Sequence, residues 1–173
     1  MRLFIAINFS QEIRTRLLAL CDELRAQSKQ GRYSAPENLH LTLAFLGECD
    51  TKQASAAKAA MDAIAFGPLP ISIERVGRFK REGGDIWWAG IQVDKPLAGL
   101  HGDLTGRLID AGFTLDMRKF SPHITLGREI ITDAAPWKIK GFGETVCRIE
   151  LMKSERVNGK LTYTAIYERR AGG

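Results

Sequence analysis

The chain is predicted to be an α+β fold of two lobes, each a small antiparallel sheet backed by helices. Three observations predict this. Strand-like and helix-like hydrophobic periods interchange along the chain, two hairpin signals carry glycine at their turns, and one short strand sequence occurs twice.

Leu3 to Asn8 reads as a buried strand. Ser10 can cap a helix that runs to about Ser28, with Ile13, Leu17, Leu20 and Leu24 along one stripe. A loop containing Gly31, Ser34, Pro36 and Asn38 leads to a strand from Leu39 to Leu46, which Gly47 ends. An alanine-rich helix spans Thr51 to about Ala65 and is broken by Gly67-Pro68. Ile71 to Phe79 and Asp85 to Val93 form a hairpin around Glu82-Gly83-Gly84. Pro96 suits the first turn of a helix to about Ala111, and Gly112 suits its end. His123 to Gly127 is a short strand. After a loop with Pro136 and Gly141, Glu144 to Arg156 and Lys160 to Glu168 pair across Asn158-Gly159, a dipeptide favoured in type I′ turns. No linker or low-complexity stretch divides the chain, so residues 1–173 are expected to form one domain.

Composition sets loose bounds on function. With 45% hydrophobic residues in 173, the chain can build a core without disulfides or a structural metal. A net charge of +5 favours an anionic ligand without naming one. Cys21, Cys49 and Cys147 are scattered, as expected for reduced thiols in a cytoplasmic protein. The apolar start is too short for a signal-peptide core, and Ile86 to Val93, among the longest apolar runs, is far below membrane-spanning length. A cytoplasmic protein with no membrane partner is the expectation.

The informative feature is the repeat. Leu39-His40-Leu41-Thr42-Leu43 matches Pro122-His123-Ile124-Thr125-Leu126, with the two histidines 83 positions apart. Side chains on a strand alternate between faces, so His40 and Thr42 share one face, as do His123 and Thr125. Each strand thereby offers an imidazole and a hydroxyl roughly 6–7 Å apart along the backbone. Side by side, two such strands suit displacement at phosphorus: one histidine takes a proton from water, and the other gives one to the departing oxygen. The hydroxyls can donate to phosphate oxygens. One His-x-Thr alone is ordinarily a polar sheet edge. Two of only three histidines in equivalent places argue for more. A metal site would draw three or more ligands together, and the chain has no His-x-His, His-Glu-x-x-His or Cys-x-x-Cys. No metal and no cofactor is expected, and His101, on a predicted helix near Asp103, reads as solvated or half-buried.

These motifs, with Arg2-Leu3-Phe4-Ile5-Ala6-Ile7 at the start and the flanks Ala44-Phe45-Leu46-Gly47 and Gly127-Arg128, resemble the two-histidine (2H) phosphoesterases. Within them the chain is similar to the RNA 2′,3′-cyclic phosphodiesterases, the LigT-like 2′-5′ RNA ligases. The resemblance implies a bilobal fold with pseudo-two-fold symmetry around a central cleft. It implies metal-independent hydrolysis of an RNA 2′,3′-cyclic phosphate to a 2′-phosphate. His40 would be the proton donor to the leaving O3′ and His123 the proton acceptor that activates water. Thr42 and Thr125 would bind the phosphate, and Arg128 would face it or its approach. The implied partner is RNA with a 2′,3′-cyclic phosphate end, or a related nucleotide, bound by a monomer. A 2′-5′ RNA ligase, a small cyclic-nucleotide phosphodiesterase and a non-catalytic RNA-end binder are the alternatives. Related chains tend to carry a proline where this one has Phe9-Ser10.

Three points stay open in the sequence. Phe45 occupies the position equivalent to Arg128; strand parity puts it on the core face, whereas the resemblance puts it in the cleft wall. Arg75, Arg78, Lys80, Arg81, Arg118 and Lys119 either track an RNA backbone or form a solvated face. Of Trp87 and Trp88, adjacent on one strand, one is expected in the core and the other towards cleft or solvent.

Overall fold

The structure, a computed structural model, describes residues 1–172, and its elements begin where the sequence supplies caps. In chain order they are β1 (Arg2–Asn8), α1 (Gln11–Ala26), β2 (Ser28–Tyr33), β3 (His40–Glu48), α2 (Thr51–Ala63), β4 (Leu69–Phe79), β5 (Asp85–Ile91), α3 (Lys95–Asp110), β6 (His123–Thr132), β7 (Trp137–Val146), β8 (Arg148–Val157) and β9 (Lys160–Arg170). The fold class is α+β, as expected. Ser10 Oγ accepts from the Ile13 N–H to start α1, and Asp94 caps α3. Asp50 and Gln53 close a capping box on α2. The α1 stripe of Ile13, Leu17, Leu20 and Leu24 is buried. Asn158 and Gly159 both have positive φ, 52° and 77°, as a type I′ turn requires.

The strands form one antiparallel path, β7-β4-β5-β6-β3-β1-β8-β9, with β2 also paired to β6. The two sheets expected from the sequence are therefore joined, but only just. β3 and β6 pair at a single position, Leu41 opposite Ile124. Beyond that point, the same edge of β6 is taken by β2, through pairs running from Tyr33–Gly127 to Ser28–Thr132. Leu41 and Ile124 have no solvent exposure and belong to a core that runs under both half-sheets, where α1, α2 and α3 bury their apolar stripes. Among the described residues, no helix is long and apolar enough to cross a membrane.

The departures from expectation have local causes. β2, read as loop, is a polar edge strand (Ser-Lys-Gln-Gly-Arg-Tyr) that is half-exposed along its length, so it shows no hydrophobic alternation. β7 was hidden by Pro136 and by Gly141 and Gly143. Gly143 is there for packing: a Cβ on it would lie 1.8 Å from the Ile71 carbonyl oxygen of β4. The stretch expected as one strand from Glu144 to Arg156 is the end of β7 and all but the last residue of β8, divided at Cys147. β6 runs five residues past Gly127, through Glu129 at φ 55°. Of the two adjacent tryptophans, Trp87 lies in the core at 0% exposure, and Trp88 packs against Phe79 and His123 on the cleft side but is 7% exposed, so neither is open to solvent. β5 is covered on both faces, and Trp88 lies so close over Gly77 that a Cβ there would meet its ring at 2.3 Å.

The seam yields a stability prediction. Leu41→Ala should lower the unfolding free energy by about 2–5 kcal/mol, the usual cost of emptying a well-packed leucine site. Urea unfolding followed by circular dichroism measures it, and an unchanged midpoint would contradict the packing described.

Candidate active site

Pairing Leu41 with Ile124 in antiparallel register sets His40 beside Thr125 and Thr42 beside His123. In a regular ladder the two histidines then stand on the diagonal, about 7–8 Å apart along the backbone positions. All four side chains line one cleft of about 740 Å³, and Arg128 lines it too.

Each imidazole is oriented in the same way. His40 Nδ1–H donates to the Asn38 carbonyl at 2.7 Å, and His123 Nδ1–H donates to the Ser121 carbonyl at 2.7 Å. A carbonyl can only accept, so Nδ1 carries the proton and Nε2 is left for chemistry. The Thr42 hydroxyl donates to His40 Nε2 at 2.9 Å. Aromatic rings enclose both imidazoles. Phe4 and Tyr163 lie 4.9 and 5.3 Å from the His40 ring, and Phe79 and Trp88 lie 5.1 and 6.2 Å from that of His123.

This partly buried setting shifts the titration of both rings. Burial pushes both imidazoles below their ordinary value, opposed in part by the carbonyl that each ring faces. The positive charge of Arg128 depresses both further, and His123 adds to the effect at His40. Both rings are thus biased towards the neutral form until an anion arrives.

The open question over Phe45 is answered by a bulge. Along β3 the pairing with β1 skips Leu43, passing from Thr42–Ala6 to Ala44–Ile5. One extra residue reverses the parity that follows. Phe45 therefore turns out to the cleft, 49% exposed, with the Arg2 guanidinium 4.8 Å from its ring centre. β6 has the same device: its pairing with β5 skips Leu126, which brings Arg128 to the face of His123 and Thr125.

Apart from Arg128, the basic residues singled out in the sequence do not line the cleft. Arg75 and Arg78 lie against Trp88 and Trp87, and Arg78 also faces Asp85. Lys80 is exposed and lines neither the cleft nor the hollow beside it, whereas Arg81, Arg118 and Lys119 line that hollow. The cleft instead gathers Arg2, Arg32, Arg156 and Lys160 around Arg128. Arg32 is paired with Glu129 at 2.7 Å and Lys160 with Glu37 at 3.0 Å. Arg128 has no carboxylate within salt-bridge distance among the described residues. Tyr163 and Phe4 were also missed; they meet His40 from strands far from it in sequence, so no local signal marks them. His101 is half-buried and stacked on Phe120. Among the described residues, no three His, Cys, Asp or Glu side chains come together as a metal site.

Comparison with known proteins gives consistent matches. Residues 7–88 match the family model described as LigT like Phosphoesterase. An RNA 2′,3′-cyclic phosphodiesterase of Archaeoglobus fulgidus is 31% identical over 155 residues, covering 86% of this chain and 87% of that protein. A protein of the same name from Escherichia coli K12 is 30% identical over 171 residues, covering 95% and 93%. The crystal structure of E. coli LigT complexed with 3′-AMP superimposes with a TM-score of 0.82 at 27% identity, covering 99% of this chain and 98% of that one.

The electrostatics give a prediction in solution. In the free protein, both imidazoles should titrate below about 6.5, the ordinary histidine value. Arg128→Gln removes a cation that disfavours the imidazolium, so both midpoints should move towards higher pH. Proton NMR of the imidazole resonances measures this, and midpoints that stay in place would contradict the electrostatic coupling.

Proposed function

The chain belongs to the LigT-like phosphoesterase family, and we propose that it is an RNA 2′,3′-cyclic phosphodiesterase that opens the terminal cyclic phosphate to a 2′-phosphate, with two histidines as acid and base and no metal. The observation that carries this is the convergence of His40, Thr42, His123, Thr125 and Arg128 on one cleft. The names of the relatives from A. fulgidus and E. coli support the substrate class.

The cyclic phosphodiester is a monoanion, and Arg128 and the Thr125 hydroxyl can hold its non-bridging oxygens. Its charge raises the proton affinity of the nearby imidazoles, which favours a protonated His40 once substrate is bound. Protonation of Nε2 ends its role as acceptor from Thr42, so that hydroxyl is released to donate to the phosphate. His123 stays neutral, its Nδ1–H held by the Ser121 carbonyl, and its Nε2 lone pair takes a proton from the attacking water. The water oxygen bonds to phosphorus, the P–O3′ bond breaks, and His40 delivers its proton to O3′. Proton exchange with solvent then restores both rings. The assignment of acid to His40 and base to His123 follows the family pattern. We take residues 1–173 as one such unit, a cytoplasmic monomer; the core that runs under both half-sheets supports a single domain.

His40→Ala and His123→Ala should each lower turnover by about 10²–10⁴-fold, the usual contribution of a general acid or base, with an unchanged circular dichroism spectrum. Turnover should be the same in EDTA. The decisive assay is incubation of an RNA ending in a 2′,3′-cyclic phosphate: the product should gain the mass of one water and show a 2′-phosphate by phosphorus NMR. Cyclic ends left intact, with and without divalent metal, would refute the proposal.

A further inference from the structure

The two imidazoles are held by carbonyls in equivalent places, two residues before each histidine, yet the chain around those carbonyls differs. Next to His123 stands Pro122, whose ring fixes its own φ and confines Ser121 to extended backbone. The Pro122 carbonyl is also taken by the Ile91 N–H of β5 at 3.1 Å. The Ser121 carbonyl is therefore aimed by covalent geometry and by the neighbouring strand.

The first motif has Leu39 where the second has Pro122. Asn38 ends a short 3-10 turn, Pro36–Asn38, a conformation that a following proline disfavours, so the same solution is closed to His40. The turn is held by β9 instead. Asn38 Nδ2–H donates to the Leu161 carbonyl at 3.3 Å, across 123 positions of chain. Two residues further along β9, Tyr163 sets its ring edge-on to the His40 imidazole. Asn38 Oδ1 is buried without a partner among the described residues. The amide cannot turn over to relieve that atom, because two acceptors would then face each other at Leu161. An unpaired buried acceptor is destabilising, and it is tolerated here where the donor of the same amide has a task.

We propose that Asn38 is a positioning residue for the proton donor: its side chain ties the 3-10 turn to β9, and the tie aims the Asn38 carbonyl at His40 Nδ1. The acid is thereby set by the C-terminal hairpin and the base by its own proline, so the two halves of the repeat reach one geometry by different means. This rests on the chain being a cyclic phosphodiesterase with the acid at His40. The Glu37–Lys160 ion pair spans the same two segments at 3.0 Å, but both side chains are more than half exposed, and a pair in that setting holds little.

Asn38→Leu keeps the size of the side chain and removes both the donor and the orphaned acceptor. The urea midpoint should stay close to that of the wild type. On an RNA ending in a 2′,3′-cyclic phosphate, kcat should fall by roughly ten- to a hundredfold, as for a misaimed catalytic group, with KM little changed. The Asn38 carbonyl favours the imidazolium, so loosening it lowers the pKa of His40. The alkaline limb of the kcat/KM profile should then move to lower pH, and the acidic limb should stay. The other groups facing His40, namely His123, Arg128 and Tyr163, are the same in both proteins. Proton NMR of the free protein gives a readout without turnover: the His40 Nδ1–H resonance should broaden through solvent exchange in Asn38→Leu, while that of His123 stays sharp. Glu37→Gln should reproduce neither effect. A His40 Nδ1–H resonance as sharp in Asn38→Leu as in the wild type overturns the assignment. So does a loss of kcat shared equally by Glu37→Gln, or a loss of kcat that follows lost stability with the alkaline limb unmoved. A wild-type chain inert on cyclic ends overturns the phosphodiesterase reading, and the ring-proton comparison then decides the positioning by itself.

Discussion

Leu41 and Ile124, both shut off from solvent, make the one backbone pairing between β3 and β6, and the functional geometry of the cleft is set from it. They are the middle residues of the two His-x-Thr motifs. Burying them together fixes the register, and the register turns two imidazoles and two hydroxyls out on the opposite face. A slip of one residue would bury these imidazoles and hydroxyls and expose the leucine and isoleucine. The apolar core thus enforces the polar site directly. Because β2 takes the rest of that edge of β6, the pairing stops after one position, and the cleft lies where the two half-sheets meet.

Around this seam the surroundings do two things to the histidines. Backbone carbonyls of Asn38 and Ser121 hold both rings in one tautomer, with Nε2 available. The rings of Phe4, Tyr163, Phe79 and Trp88 pack against the two imidazoles, and this partial burial, with the charge of Arg128, biases both towards the neutral form. In the proposed mechanism an anionic substrate supplies the charge that lets one ring hold a proton, so that binding and activation are coupled through that charge.

Much of the site was legible in the sequence because parity over three residues is a reliable guide. His40 with Thr42, and His123 with Thr125, share a face for that reason alone. Phe45 and Arg128 lie beyond Leu43 and Leu126, the extra residues in each ladder, and a bulge leaves no mark in hydrophobic alternation. The half-exposed edge strand β2 and the glycine-bearing β7 were hidden for related reasons: neither buries a regular apolar face. The cationic wall was beyond reach for another reason. Arg2, Arg32, Arg156 and Lys160 meet only after strands from both ends of the chain are assembled, whereas the visible cluster at Arg75 and Arg78 packs on Trp88 and Trp87. Helix positions were easier, since caps and stripes are local.

The central claim is that one seam holds an acid and a base on opposite sides of a phosphate, and the pH dependence of kcat/KM tests it most directly. The wild-type profile should be a bell whose two apparent pKa values belong to the coupled pair. The residual activity of His123→Gln should lose the acidic limb, because that limb reports deprotonation of the base. That of His40→Gln should lose the alkaline limb, which reports loss of the proton from the acid. A full bell retained in either variant would contradict the account.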